Sequence, residues 1–149
     1  MEMEKKLISD CSLFLEKYNV NVFKLSEWHQ MIDDEIFSGQ AYMEIVDYFA
    51  TDVLQQGDSF ASSKSDLKIT YFLENELYQM LSSEKNKGKA EILASSIISA
   101  VATNMANLYH VDVFIATGLT NLIALGIFKM GINAWCRYFE EKYKKESKE

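Results

Sequence analysis

Apolar positions recur at helical spacing along most of the chain. Leu7, Cys11, Phe14, Leu15 and Tyr18 share one face and predict a first helix over Glu2–Tyr18. Trp28, Ile32 and Ile36, with Met31 beside them, predict a second. Ser26 is its expected N-cap and Ser38-Gly39 its expected end. Tyr42, Ile45, Val46, Phe49 and Val53 form the buried stripe of a third helix, closed by Gly57. After the polar segment 57–66, Ser63 and Asp66 have capping-box spacing, and Ile69, Phe72, Leu73, Leu77, Met80 and Leu81 predict a fourth helix. The segment Ser82–Lys89 reads as a linker. Proline is absent, which favours uninterrupted helices.

The pattern then changes. Between Ile92 and Phe128 the only ionised side chain is Asp112. This stretch predicts two apolar helices joined by Tyr109-His110-Val111-Asp112: a fifth over about Lys89–Leu108 and a sixth from Asp112, its N-cap, to Lys144 or beyond. Gly118, Gly126 and Gly131 fall inside the sixth and suggest close backbone packing or a break near Gly131. Small residues recur four apart, Ser95, Ser99 and Thr103 on one helix and Ala116, Thr120 and Ala124 on the other. Such stripes let helix backbones approach closely, so these six are the expected seam of the hairpin. The fold class is therefore all-α, a five- to six-helix bundle around a central apolar helical hairpin, in one domain of 149 residues. Residues 1–88 form acidic amphipathic helices, 89–136 the hairpin and 137–149 a charged helical tail.

Two environments can hide such a hairpin. In the first, the four N-terminal helices cover it. In the second, segments 92–109 and 113–131 lie in a bilayer, with lysines before and basic residues after them placing both termini in the cytoplasm. Both segments are short for a span of roughly 20 residues, and Asn104, Asn107 and Asn121 add polar groups inside them. The covered arrangement is the expectation, with a cytoplasmic location.

Net charge is −7, carried by residues 1–90 with 16 acids against 9 bases. An acidic chain with one arginine, Arg137, lacks the cationic patch that phosphate backbones require, so nucleic acid is not an expected partner. Cys11 and Cys136 are too few for a metal site and read as free thiols, a disulfide between them being the alternative. Arg137 beside Cys136 is a candidate activator of that thiol, although an inert buried thiol is the simpler reading. His110 at the hairpin turn reads as a cap or as a pH-sensitive group.

For metal chemistry the candidates are His29 and Asp33, four apart, and Glu44 and Asp47, three apart on the next helix. Carboxylates at that spacing suit a divalent cation in an all-α hydrolase. No second pair matches them, and solvated helix faces carry such residues as a rule. No phosphate-binding glycine loop, nucleophile elbow or zinc motif occurs. The sequence thus predicts a non-enzymatic interaction protein, an adaptor, regulatory or inhibitory subunit without cofactor. It would act on a protein partner or on a second copy of itself. A membrane-anchored protein and a metal-dependent hydrolase are the alternatives.

Overall fold

The computed structural model describes residues 2–56, 63–83 and 95–147. Among these residues there are seven helices and no strand, so the protein is all-α. They are α1 (Glu2–Lys17), α2 (Val22–Asp33), α3 (Gly39–Gln56), α4 (Ser63–Ser83), α5 (Ser95–Tyr109), α6 (Val113–Met130) and α7 (Ile132–Ser147). The count exceeds the expected five or six because the last helix is divided. At Gly131, φ is +93°, a value that L side chains rarely adopt, and the helix stops and restarts there. The Gly57 closure, the Ser63–Asp66 box and most of the Ser82–Lys89 linker lie on residues or side chains outside the described set.

Helix α6 is the centre. Twelve of its residues are buried, on all sides of the helix, and α5, α1, α3 and α7 pack around it. A helix that is apolar around its whole circumference has to be enclosed in this way. It is also the one described helix long and apolar enough to cross a membrane, and 67% of that window is buried inside the bundle.

Two glycines let neighbours approach α6. A Cβ at Gly118 would fall 2.2 Å from Cδ1 of Phe14 on α1, and one at Gly126 would fall 2.9 Å from the ring of Tyr42 on α3. Tyr42 donates its hydroxyl there to the Leu122 carbonyl at 2.7 Å, and it accepts from Trp28 Nε1 at 3.4 Å. One buried phenol thus links α2, α3 and α6. Lys129, the single cation of α6, donates to the Ile32 carbonyl in the last turn of α2 at 2.7 Å and pairs with Glu4 of α1 at 3.1 Å. It satisfies a carbonyl that the end of α2 leaves without a helical partner.

The second helix differs from expectation at both ends. Its N-cap is Asn21, whose side chain accepts from the amides of Phe23 and Lys24, and Ser26 is an exposed mid-helix residue. An Asn that satisfies two amides competes better than a serine one turn later. The helix ends at Asp33, before Ile36, which is 85% exposed and not part of the buried stripe. Ser38 and Gly39 begin α3 instead: Ser38 Oγ accepts from the Ala41 amide at 3.3 Å. Asp112 caps α6 as expected, accepting from the Phe114 amide at 2.7 Å.

Candidate interaction groove and buried polar junction

Helices α1 and α6 border a groove of about 550 Å³ beside the start of α6. It is lined by Leu13, Phe14 and Lys17 of α1 and by Val113, Phe114, Gly118 and Asn121 of α6, among others. A second depression of about 240 Å³, lined by Met3, Leu7, Ile98 and again Asp10 and Asn121, continues it toward the start of α1. Leu13, Val113 and Phe114 are each at least half exposed, and Leu108 at the end of α5 is exposed as well. Leu13, Val113 and Phe114 thus leave apolar surface in water along the groove itself, whereas the more exposed Val22, Phe23 and Ile36 line neither of these two depressions.

The polar groups of the groove are few. Lys17 places its ammonium 3.9 Å from the centroid of the Phe114 ring, a cation–π contact at the mouth. Asn121 borders both depressions, and among the described residues its carboxamide has no hydrogen-bond partner. It is the one amide on a largely apolar helix, and the sequence explains its place: it lies three and four residues from Gly118 and Thr117 on the groove side of α6.

A different arrangement joins α3, α4 and α7. Glu74 of α4 is fully buried. Its Oε2 accepts from the Tyr143 hydroxyl at 2.7 Å. Its Oε1 has no hydrogen-bond partner and stands 3.6 Å from the Lys142 ammonium, which also lies 3.4 Å from Asp47 Oδ2. Burial drives the Glu74 carboxyl up to about 7, a rise that the attraction of Lys142 opposes and does not cancel. At Lys142 the balance is reversed. Burial alone would lower its value, but Glu74 and Asp47 together push it up to about 12. The difference follows from exposure, since the Lys142 side chain keeps 24% of its surface in water and Glu74 keeps none. Burial, followed by the negative charge of Glu74, likewise holds the Tyr143 hydroxyl far above its ordinary range.

The metal candidates do not converge. Among the described residues no three His, Cys, Asp or Glu side chains form a cation site. His29 is half-buried with its ring edge-on to Trp28, and Asp33 is exposed at the end of α2. Glu44 and Asp47 border a cleft of about 320 Å³ with Gln40, Tyr138, Glu141 and Lys142, and the cation facing Asp47 there is Lys142. Cys11 and Cys136 are both buried and free, so the disulfide alternative is not formed. Burial raises the Cys11 thiol well above its ordinary value. His110 is exposed in the turn with φ +55°, which is the conformation of a residue ending α5.

The small-residue stripes fare differently on the two helices. Ala116, Thr120 and Ala124 are buried, and Thr120 donates its hydroxyl back to the Ala116 carbonyl at 2.7 Å. On α5, Ser99 and Thr103 are exposed along an open face with Asn104 and Asn107, so they are not the seam. The Ser95 side chain lies outside the described set. The buried line of α5 is Ile98, Val101, Ala102 and Met105. Hydroxyls on a helix that can turn either face inward stay in water, and the aliphatic line wins the interior.

Sequence reasoning passed over the junction, although a signal was present. Thr70, Leu73, Leu77 and Leu81 are all buried at helical spacing, and Glu74 interrupts that face as its one acid. Trp135 and Phe139 carry a buried line into the charged tail, ending one turn on beside Lys142 and Tyr143. The chain matches no protein-family model, no curated protein sequence and no solved structure.

Proposed function

We propose that the protein is a non-enzymatic interaction module that receives one amphipathic helix of a partner protein in the groove between α1 and α6. The observation that carries this reading is the exposure of Leu13, Val113 and Phe114 around a groove whose only unpartnered amide is Asn121. An amphipathic helix offers apolar anchors at i, i+3 or i+4 and i+7 to such a surface, and one polar anchor for an amide placed like Asn121. Charge favours a basic partner over a second copy. Each copy carries −7, so self-association opposes like charge to like, whereas a basic helix is drawn in.

The experiment uses fluorescein-labelled amphipathic helices with Leu or Phe on one face and Lys or Arg on the other, read by fluorescence anisotropy. Saturable binding is expected, weakened at least about tenfold by Val113→Glu with Phe114→Glu, a loss of roughly 1.4 kcal/mol. Circular dichroism of the double variant checks that the helices remain. Equal binding of a scrambled peptide, or no response to the two substitutions, would refute the groove. Dimerisation of the chain alone that the same substitutions abolish would assign the groove to a second copy.

A further inference from the structure

We propose that α7 is a strap hinged at Gly131, and that uptake of one proton at Glu74 tightens its docking on α3 and α4. From α3, Glu74 faces Asp47, and from α7 it faces Lys142, Tyr143 and Tyr138. The described part of α5, the third helix packed on α4, contains no ionised side chain. Among the described residues Glu74 and Asp47 both face the Lys142 ammonium, so a proton taken up at this junction can go to either carboxylate.

The geometry selects which carboxylate takes it. Asp47 keeps 37% of its side chain in water, which hydrates its charge. Glu74 has no exposure and one oxygen without any hydrogen bond, and its contact with Lys142 is too long to be one. A buried carboxylate so poorly served is destabilising when charged and far less so when neutral. The neutral acid still accepts from Tyr143 through Oε2, so the α4–α7 link survives protonation. The upward displacement of its titration to about 7 agrees with this assignment.

The hinge is independent of the latch. Gly131 has φ +93°, and nothing lies within 4 Å of the position a Cβ would take, so no side chain packs over that side of the break. Beyond it, α7 is held by the junction, by Tyr78 donating to Glu140 at 2.7 Å and by stacked rings. Phe139 lies against Tyr71, Tyr78, Trp135 and Tyr143. Loosening α7 as Glu74 ionises would uncover that aromatic layer.

Hydrogen exchange of the full chain, measured at pH 5.5 and pH 8 and corrected for the intrinsic rate, tests the strap. Residues 132–147 are expected to exchange at least about tenfold faster at pH 8 and to stay less protected than α6 at both pH values, and Glu74→Gln is expected to erase the pH difference. A separate measurement needs no variant: the carboxyl carbon of Glu74, followed by NMR, titrates near neutrality. Equal protection at both pH values, a difference that survives Glu74→Gln, or a Glu74 midpoint in the ordinary carboxylate range would overturn the proposal. Protection of residues 132–147 equal to that of α6 would also overturn it, by assigning the opening to the whole fold.

Discussion

Replacing Gly118 with alanine adds one methyl group where α6 lies against the ring of Phe14 on α1. On propensity alone the change stabilises α6 by about 1 kcal/mol. The surroundings oppose it. The new Cβ would meet Cδ1, Cε1 and Cγ of Phe14 at 2.2, 2.4 and 2.4 Å, where an ordinary contact needs about 3.5 Å or more. Cγ is the ring's point of attachment, so no rotation of the ring clears the clash. Either α1 retreats or Phe14, now 3% exposed, leaves its site. Overpacking of this kind costs about 1–3 kcal/mol, and full expulsion of a buried phenylalanine about 3–5 kcal/mol. The net expectation is a loss of about 2 kcal/mol, read as a fall in Tm of about 4–8 °C. Phe14 and Gly118 also border the groove, so a displaced ring enters it and weakens binding of the labelled helices. In a Phe14→Leu background the same Gly118→Ala change should cost less by at least about 0.5 kcal/mol, because the two sites couple directly. A rise in Tm for Gly118→Ala in the native background would refute the packing argument.

The pH dependence of stability has a definite sign. Glu74 is raised in the folded protein from 4.5 to about 7, so its contribution is complete below pH 4.5 and is lost as pH rises through about 7. Chemical denaturation should show about 3 kcal/mol less stability from Glu74 at pH 8 than at pH 4.5, and Glu74→Gln should remove that component. Lys142 is raised from 10.5 to about 12 and so adds no slope in this interval. Tyr42→Phe removes the hydroxyl bound to the Leu122 carbonyl and leaves Trp28 Nε1 without its partner. A loss of about 1–3 kcal/mol is expected by thermal unfolding, with the helical signal retained. Asp112→Ala removes the cap of α6 and should cost about 0.5–2 kcal/mol, whereas Asp112→Asn should cost much less.

Much of the helix pattern was legible in the chain because burial and helical spacing leave a periodic trace. The stripes of α1 and α3 are such a trace, since Leu7, Cys11, Phe14 and Leu15, and Tyr42, Ile45, Val46, Phe49 and Val53, are all buried. The Asp112 cap was legible as well, from side-chain chemistry, whereas Gly131 suited close packing as well as a break, and only the structure's φ of +93° decides for the break. Less legible were the ends of α2, where Asn21 and Ser26 both offer a capping oxygen and only the competition between them fixes the start.

By itself the sequence determined that this protein is helical and that the apolar stretch Ile92–Phe128 has to be hidden, because it carries one ionised side chain; the structure encloses its second helix, Val113–Met130, most fully. Tertiary structure alone decided which side of α5 turns inward, since Ser99 and Thr103 could pack as closely as Val101 and Ala102 until solvent claimed the hydroxyls. It alone also brought Asp47, Glu74 and Lys142 together from three helices, across separations of 27 and 68 residues in the chain. Periodicity reports how a residue faces its own helix axis. The charge of a buried carboxylate depends on what the other helices place against it, and that information is not local in the chain.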